Sequence, residues 1–210
     1  MGPAARGDDA MNKPGWLIGG SVGVLALAIV DILVLPHGPL TSVAPESKLS
    51  PYTIEQERGR RVYIGLGCVY CHSQQPRDRA FGPDFARGWG RVSTPGDYVY
   101  DDPHLLGTMR TGPDLFNIAA RQPSTDWHYT HLYEPRAVVS SSIMPAFPFL
   151  FVNKPRAEAG DHVVQLPAPL APKSGVIVAN ADAQALVAYL LYLDHTYPSD
   201  VLPKTLESHP

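Results

Sequence analysis

The sequence predicts a mainly α chain: one N-terminal transmembrane helix, then a helical domain with long irregular loops. Three observations carry that prediction. The stretch Trp16 to Leu35 is apolar except for Ser21 and Asp31. Further on, Thr53-Ile54-Glu55-Gln56 has the form of a capping box, and Leu186, Tyr189, Leu190 and Leu193 recur at helical spacing. Finally, the chain carries 22 prolines in 210 residues, which favours irregular connections over regular elements. The formal net charge of −3 is mild and argues against a nucleic-acid partner.

Residues 1–15 are polar and read as a cytoplasmic tail. Residues 16–35 read as a membrane anchor, because twenty helical residues span roughly 30 Å, the hydrocarbon thickness of a bilayer. Trp16 suits an interfacial position. Pro36-His37-Gly38-Pro39 is expected to stop the helix. The competing reading is a cleaved signal peptide ending at Ser42-Val43-Ala44. The apolar stretch is longer than a usual signal core, and Pro45 is a poor residue to follow a cut, so a retained anchor is favoured. Arg6 and Lys13 precede the span, and Lys48 is the first basic residue after it. The positive-inside rule then puts the N-terminus in the cytoplasm and the later domain outside. Asp31, near the outer end, either reaches the headgroups or bonds a neighbouring membrane subunit. Residues 36–52 read as a linker, 53–198 as a folded domain and 199–210 as a C-terminal tail.

Within the domain, the capping box starts a helix at Ile54 that runs to about Leu66. Asp126 to Leu132 reads as a short helix, broken at Pro135. Asn180 is a plausible N-cap for a helix from Ala181 to about His195, with Pro198 ending the element. Between these lies a Pro-rich insertion, residues 153–179, in which His162–Leu166 and Gly175–Ala179 could form two short strands.

The first helix leads into Cys68-Val69-Tyr70-Cys71-His72, which holds both cysteines of the chain. Cys-x-x-Cys-His is the attachment signature of a c-type haem: two thioethers to the vinyl groups and one axial imidazole. A redox dithiol would need the pair at a helix start in a βαβ setting, which is absent. A structural zinc site would need four ligands, and no second ligand pair exists. A disulfide would gain little from closing so short a loop. The expectation is therefore one covalently bound haem c on Cys68 and Cys71, with His72 on the iron.

Gly59-x-x-x-Tyr63 before this motif, with Leu186-Val187-Ala188-Tyr189-Leu190 far downstream, resembles class I cytochrome c. The resemblance implies that the first and last helices cross at right angles beside the haem edge. It also implies a role for Thr111-Gly112-Pro113-Asp114-Leu115, in which the Pro113 carbonyl would accept the Nδ1 hydrogen of His72. Met144, in Ile143-Met144-Pro145-Ala146-Phe147-Pro148, matches the distal Met-Pro of that family and is the implied second axial ligand. Met1 and Met11 precede the span, and Met109 abuts the proximal segment. His128 and His131 remain the alternative ligands, though they read rather as surface residues or propionate neighbours. Trp127 and Arg110 are candidate haem-propionate contacts. Residues 73–136 hold seven arginines, eight acidic residues and no lysine, which points to fixed ion pairs rather than a solvated face.

Three longer segments narrow the resemblance. They are Ser50 to Gln74, Tyr98 to Leu115 and Asp126 to Pro148. Together they are similar to the membrane-anchored monohaem cytochrome c subunit (subunit II, O-type) of cbb3-type haem–copper oxidases, with residues 153–179 departing from the pattern. The resemblance implies a non-catalytic electron-transfer subunit in a bacterial cytoplasmic membrane, its haem domain on the periplasmic side. The implied partners are an integral-membrane haem–copper catalytic subunit, a further cytochrome c subunit or donor cytochrome, and the lipid bilayer. The span contains no histidine, so this chain cannot itself build a haem–copper centre. The alternatives are a tethered carrier, a cytochrome subunit of another respiratory complex such as a nitric oxide reductase, and a peroxidase-like haem enzyme with an open sixth site.

Overall fold

A computed structural model describes residues 14–204. The chain divides between Ala44 and Pro45 into two compact units, each treated by itself below. The expected tail and its Arg6, Lys13, Met1 and Met11 lie outside the described residues, apart from Pro14 and Gly15. So do residues 205–210.

Among the described residues the first unit is one apolar helix, long and apolar enough to cross a membrane: α1 (Pro14–Ile29), a π turn (Val30–Val34) and α2 (Leu35–Thr41). It runs past the prolines that were expected to end it. Pro36 stands directly after the π turn, at the start of α2, and the helix continues through it. Near Pro39, the Thr41 hydroxyl donates to the carbonyls of His37 (2.9 Å) and Gly38 (3.1 Å), and Ser42 N–H closes the end on Gly38 O. Asp31 lies in the π turn and is exposed.

The second unit is mainly helical: α3 (Ile54–Gly65), α4 (Ile118–Arg121), α5 (Thr125–Tyr133) and α6 (Ala181–Tyr192). Thr53 and Gln56 form the reciprocal capping box at the start of α3, and Asn180 Oδ1 accepts from the N–H groups of Asp182 and Ala183 to start α6. α3 packs on α6 at Gly59, where a Cβ would fall on the Ala185 carbonyl. The aromatic rings of Tyr63 and Tyr189 meet beside this contact, 5.5 Å between centroids. Leu186, Val187, Tyr189, Leu190 and Leu193 are all buried, so the predicted stripe is the centre of the core.

α6 stops at Tyr192, short of His195. Tertiary bonds pull the chain away there. Leu193 O accepts from Ala119 N–H (3.1 Å), His195 N–H donates to Asn117 Oδ1 (2.7 Å), and the His195 ring stacks on Phe116 at 4.0 Å. The expected strand pairing also differs. β1 (Phe151–Lys154) pairs antiparallel with β2 (Val176–Ala179), in the register Phe151↔Ala179 and Val152↔Val178. Residues 162–166 supply only the isolated bridge Val163↔Val178 on the other side. Phe151 buries against Tyr129 and Tyr133, while Val164 enters the same core and His162 packs on Tyr129 at 5.6 Å.

Candidate haem site

α3 delivers the Cys-x-x-Cys-His segment and then ends. Gly67 takes a left-handed φ of 71°, and Cys68–Tyr70 turn into a single 3-10 turn. Cys71 N–H and His72 N–H both donate to Cys68 O, at 3.1 and 3.0 Å. Both cysteines and the histidine therefore share one turn. The thiols are free rather than bridged. Burial pushes the Cys68 thiol up to about 11, the opposite of what an attacking dithiol needs. Among the described residues no cluster of three or more His, Cys, Asp or Glu side chains could hold a metal ion, which leaves the zinc reading without ligands.

The segment after the motif is clasped by residues 111–115. Gly112 N–H donates to Cys71 O (2.9 Å) and Leu115 N–H to Ser73 O (2.8 Å). His72 Nδ1–H donates to the Pro113 carbonyl at 2.7 Å. A carbonyl can only accept, so the proton sits on Nδ1 and the Nε2 lone pair is left for another partner. Burial lowers the pKa of His72 and keeps the ring neutral. A Cβ on Gly112 would strike that ring, so the close approach requires glycine. Asp114 is fully buried and binds the Ser73 hydroxyl (2.6 Å) and the N–H groups of Gln75 (2.8 Å) and Phe116 (2.9 Å).

Met144 is half-buried and packs on the same core as Leu66, Cys68, Val69 and Phe147. Its loop is pinned at both ends: Arg136 Nη1 donates to Met144 O (3.2 Å), and Phe147 N–H to Leu132 O (2.9 Å). Met109 is 56% exposed. His128 is buried, with Nε2 2.9 Å from Gln122 O, so its ring is occupied by a structural bond rather than lying at a surface. Arg110 is likewise taken. It donates to Asp84 (2.9 Å), the Ser73 hydroxyl (3.0 Å) and Gln75 O (2.7 Å). Trp127 stacks on the His131 ring, 4.6 Å between centroids and 11° between planes.

A family model described as cytochrome c oxidase, mono-heme subunit/FixO matches residues 15–168. The chain belongs to this family. It is the monohaem subunit of a cbb3-type oxidase, and a comparison with curated proteins finds no match. The match covers the span, the haem motif, the Gly-Pro clasp and the Met144 loop, and ends inside the Pro-rich insertion. Among the described residues of this monohaem subunit four buried side-chain nitrogens lack a hydrogen-bond partner, Arg60 Nε, Gln74 Nε2, Arg121 Nε and His131 Nδ1, and the last two side chains interact electrostatically with His72. Arg121 also donates to Asp114 O. Buried donors are normally satisfied, so an anionic acceptor beside His72 fits this site. The sequence pointed to Arg110, Trp127, His128 and His131 as propionate neighbours, and of these Arg110 has its donors engaged elsewhere. Nothing in residue type separates Arg110 from Arg121; only the fold shows which guanidinium is saturated.

Proposed function

We propose that this oxidase subunit is an electron relay. It carries one haem c covalently on Cys68 and Cys71, with His72 and Met144 as axial ligands. It takes electrons from a further cytochrome c subunit or donor cytochrome. It passes them singly to the haem–copper catalytic subunit, on the periplasmic side of the bacterial cytoplasmic membrane. The observation that carries this reading is the 2.7 Å bond from His72 Nδ1–H to Pro113 O. Such a bond sets the tautomer, aims Nε2 and raises its basicity as a ligand.

Bound haem iron supplies one-electron exchange between ferric and ferrous states. The chain does the rest. Gly112 lets the backbone approach the ring, and Asp114 locks the clasp. The pinned 136–147 loop presents the Met144 thioether, which raises the reduction potential relative to a second imidazole. Arg121 and His131 supply charge-assisted donors for haem propionates. With haem bound, His72 and Met144 would both hold the iron from separate loops, an arrangement that favours electron transfer over a peroxidase-like open site.

The test is spectroscopic. Haem must stay with the polypeptide on a denaturing gel, and Cys68→Ala with Cys71→Ala must remove it. Met144→Leu should abolish the thioether-to-ferric charge-transfer band and lower the potential by on the order of 100 mV. An unchanged band would put the sixth ligand elsewhere.

A further inference from the structure

The membrane helix ends at Thr41, and Glu46 follows after only residues 42–45. Glu46 is nonetheless 3% exposed. Its Oε1 accepts from the hydroxyls of Thr94 (2.6 Å) and Ser199 (2.7 Å), and its Oε2 from Asp200 N–H (2.6 Å). Its own N–H donates to Gly96 O at 3.2 Å. Next to it, Ser47 N–H and hydroxyl donate to the Asp200 carboxylate at 2.6 and 3.0 Å. Thr94 in turn belongs to a buried pair, Arg91 and Asp97, joined at 2.7 and 2.9 Å. The chain leaving the membrane helix is thus sewn to both the 94–97 turn and the 199–200 segment.

A flexible tether needs none of this. Burying a carboxylate costs several kcal/mol unless donors surround it, and a polar linker left in water avoids that cost. The free tether is cut to residues 42–45, which reach at most about 14 Å when extended. A domain that swings between donor and acceptor needs slack, and the effective concentration at either partner falls with tether length.

We infer that Glu46 is a positioning residue: it latches the outer end of the tether into the haem domain, so that the haem works as a fixed station rather than a swinging carrier. This rests on the relay reading above. The latch removes slack that residues 45–49 would otherwise contribute, and it acts on delivery to the partner without touching the haem.

The experiment uses the whole oxidase complex in detergent, with a nitroxide on Lys48→Cys, an exposed position within the latched segment. The label should be restricted in the parent and mobile in Glu46→Ala; a label that stays restricted there, held by Ser47 and Ser50 alone, overturns Glu46 as the latch. Single-turnover electron delivery should fall about four-fold in Glu46→Ala. It should fall about as much with six Gly/Ser residues inserted between Val43 and Ala44, where every latch contact is intact. Glu46→Gln, which keeps an acceptor for the two hydroxyls, should recover most of the rate. Haem content and reduction potential should be unchanged in all of them. A label already mobile in the parent overturns the latch. A freed label or a lengthened tether with no loss of rate overturns its role in delivery. Absence of covalent haem in the parent would strike the relay reading, and the label would still decide the latch.

Discussion

At the scale of single residues, the site rests on where protons are. His72 presents Nε2 because Nδ1–H is engaged by Pro113 O, and His128 is held neutral by burial with one bond to Gln122 O. Burial pushes His128 down to about 4, against an ordinary value of 6.5. Below pH 6.5 the unfolded chain therefore binds a proton that the folded chain refuses. Stability is full above pH 6.5, falls as the pH drops towards about 4, and is flat in this respect below that. The loss should reach about 3 kcal/mol for this one group. Denaturant titrations of His128→Gln should show a shallower fall between those limits than the parent; identical slopes would remove His128 as the source. The motif Cys68-Val69-Tyr70-Cys71-His72 was legible from residue type and spacing, whereas the Gly112-Pro113 clasp was legible only through the resemblance to class I cytochrome c. The roles of Arg110, Arg121 and His128 were not. A guanidinium or imidazole is available or saturated according to what the fold sets beside it.

At the scale of elements, α3 and α6 carry the domain. Gly59 sits where a Cβ would meet the Ala185 carbonyl, so Gly59→Ala must push the helices apart. Overpacking of this kind costs typically 1–3 kcal/mol, and the upper end applies here because backbone rather than a flexible side chain must give way. A melting curve lowered by roughly 6–12 °C is expected for a unit of this size, and no shift would mean that the crossing is looser than described. The starts of these helices were legible from the caps at Thr53 and Asn180, which are local. Their ends were less so. α6 stops at Tyr192 because Ala119, Asn117 and Phe116 capture the chain beyond it, and those residues are far away in sequence. Likewise β2 takes Phe151–Lys154 as its ladder partner, a pairing that the 162–166 segment's own core contacts do not announce in the sequence.

At the scale of the whole molecule, residues 45–52 behave as part of the folded unit. Besides the Glu46 and Ser47 contacts, Tyr192 donates its hydroxyl to Ser50 O (2.5 Å), and the Tyr52 ring packs on Tyr192 at 4.5 Å. A soluble form beginning at Pro45 should therefore be more stable than one beginning at Thr53. The difference is at least about 3 kcal/mol, counting roughly 1 kcal/mol for each lost hydrogen bond. Equal denaturation midpoints for the two forms would show that these contacts do not hold in solution. The sequence by itself determined the long apolar helix, the Cys-x-x-Cys-His turn and the two capped helices, because each depends on composition or short-range spacing, and its longer segments carried the resemblance to the family. Only the tertiary structure decided where the tether ends and which donors stay open beside His72. Buried charges such as Glu46 and Arg121 take their meaning from partners supplied by distant segments, and no local pattern records those partners.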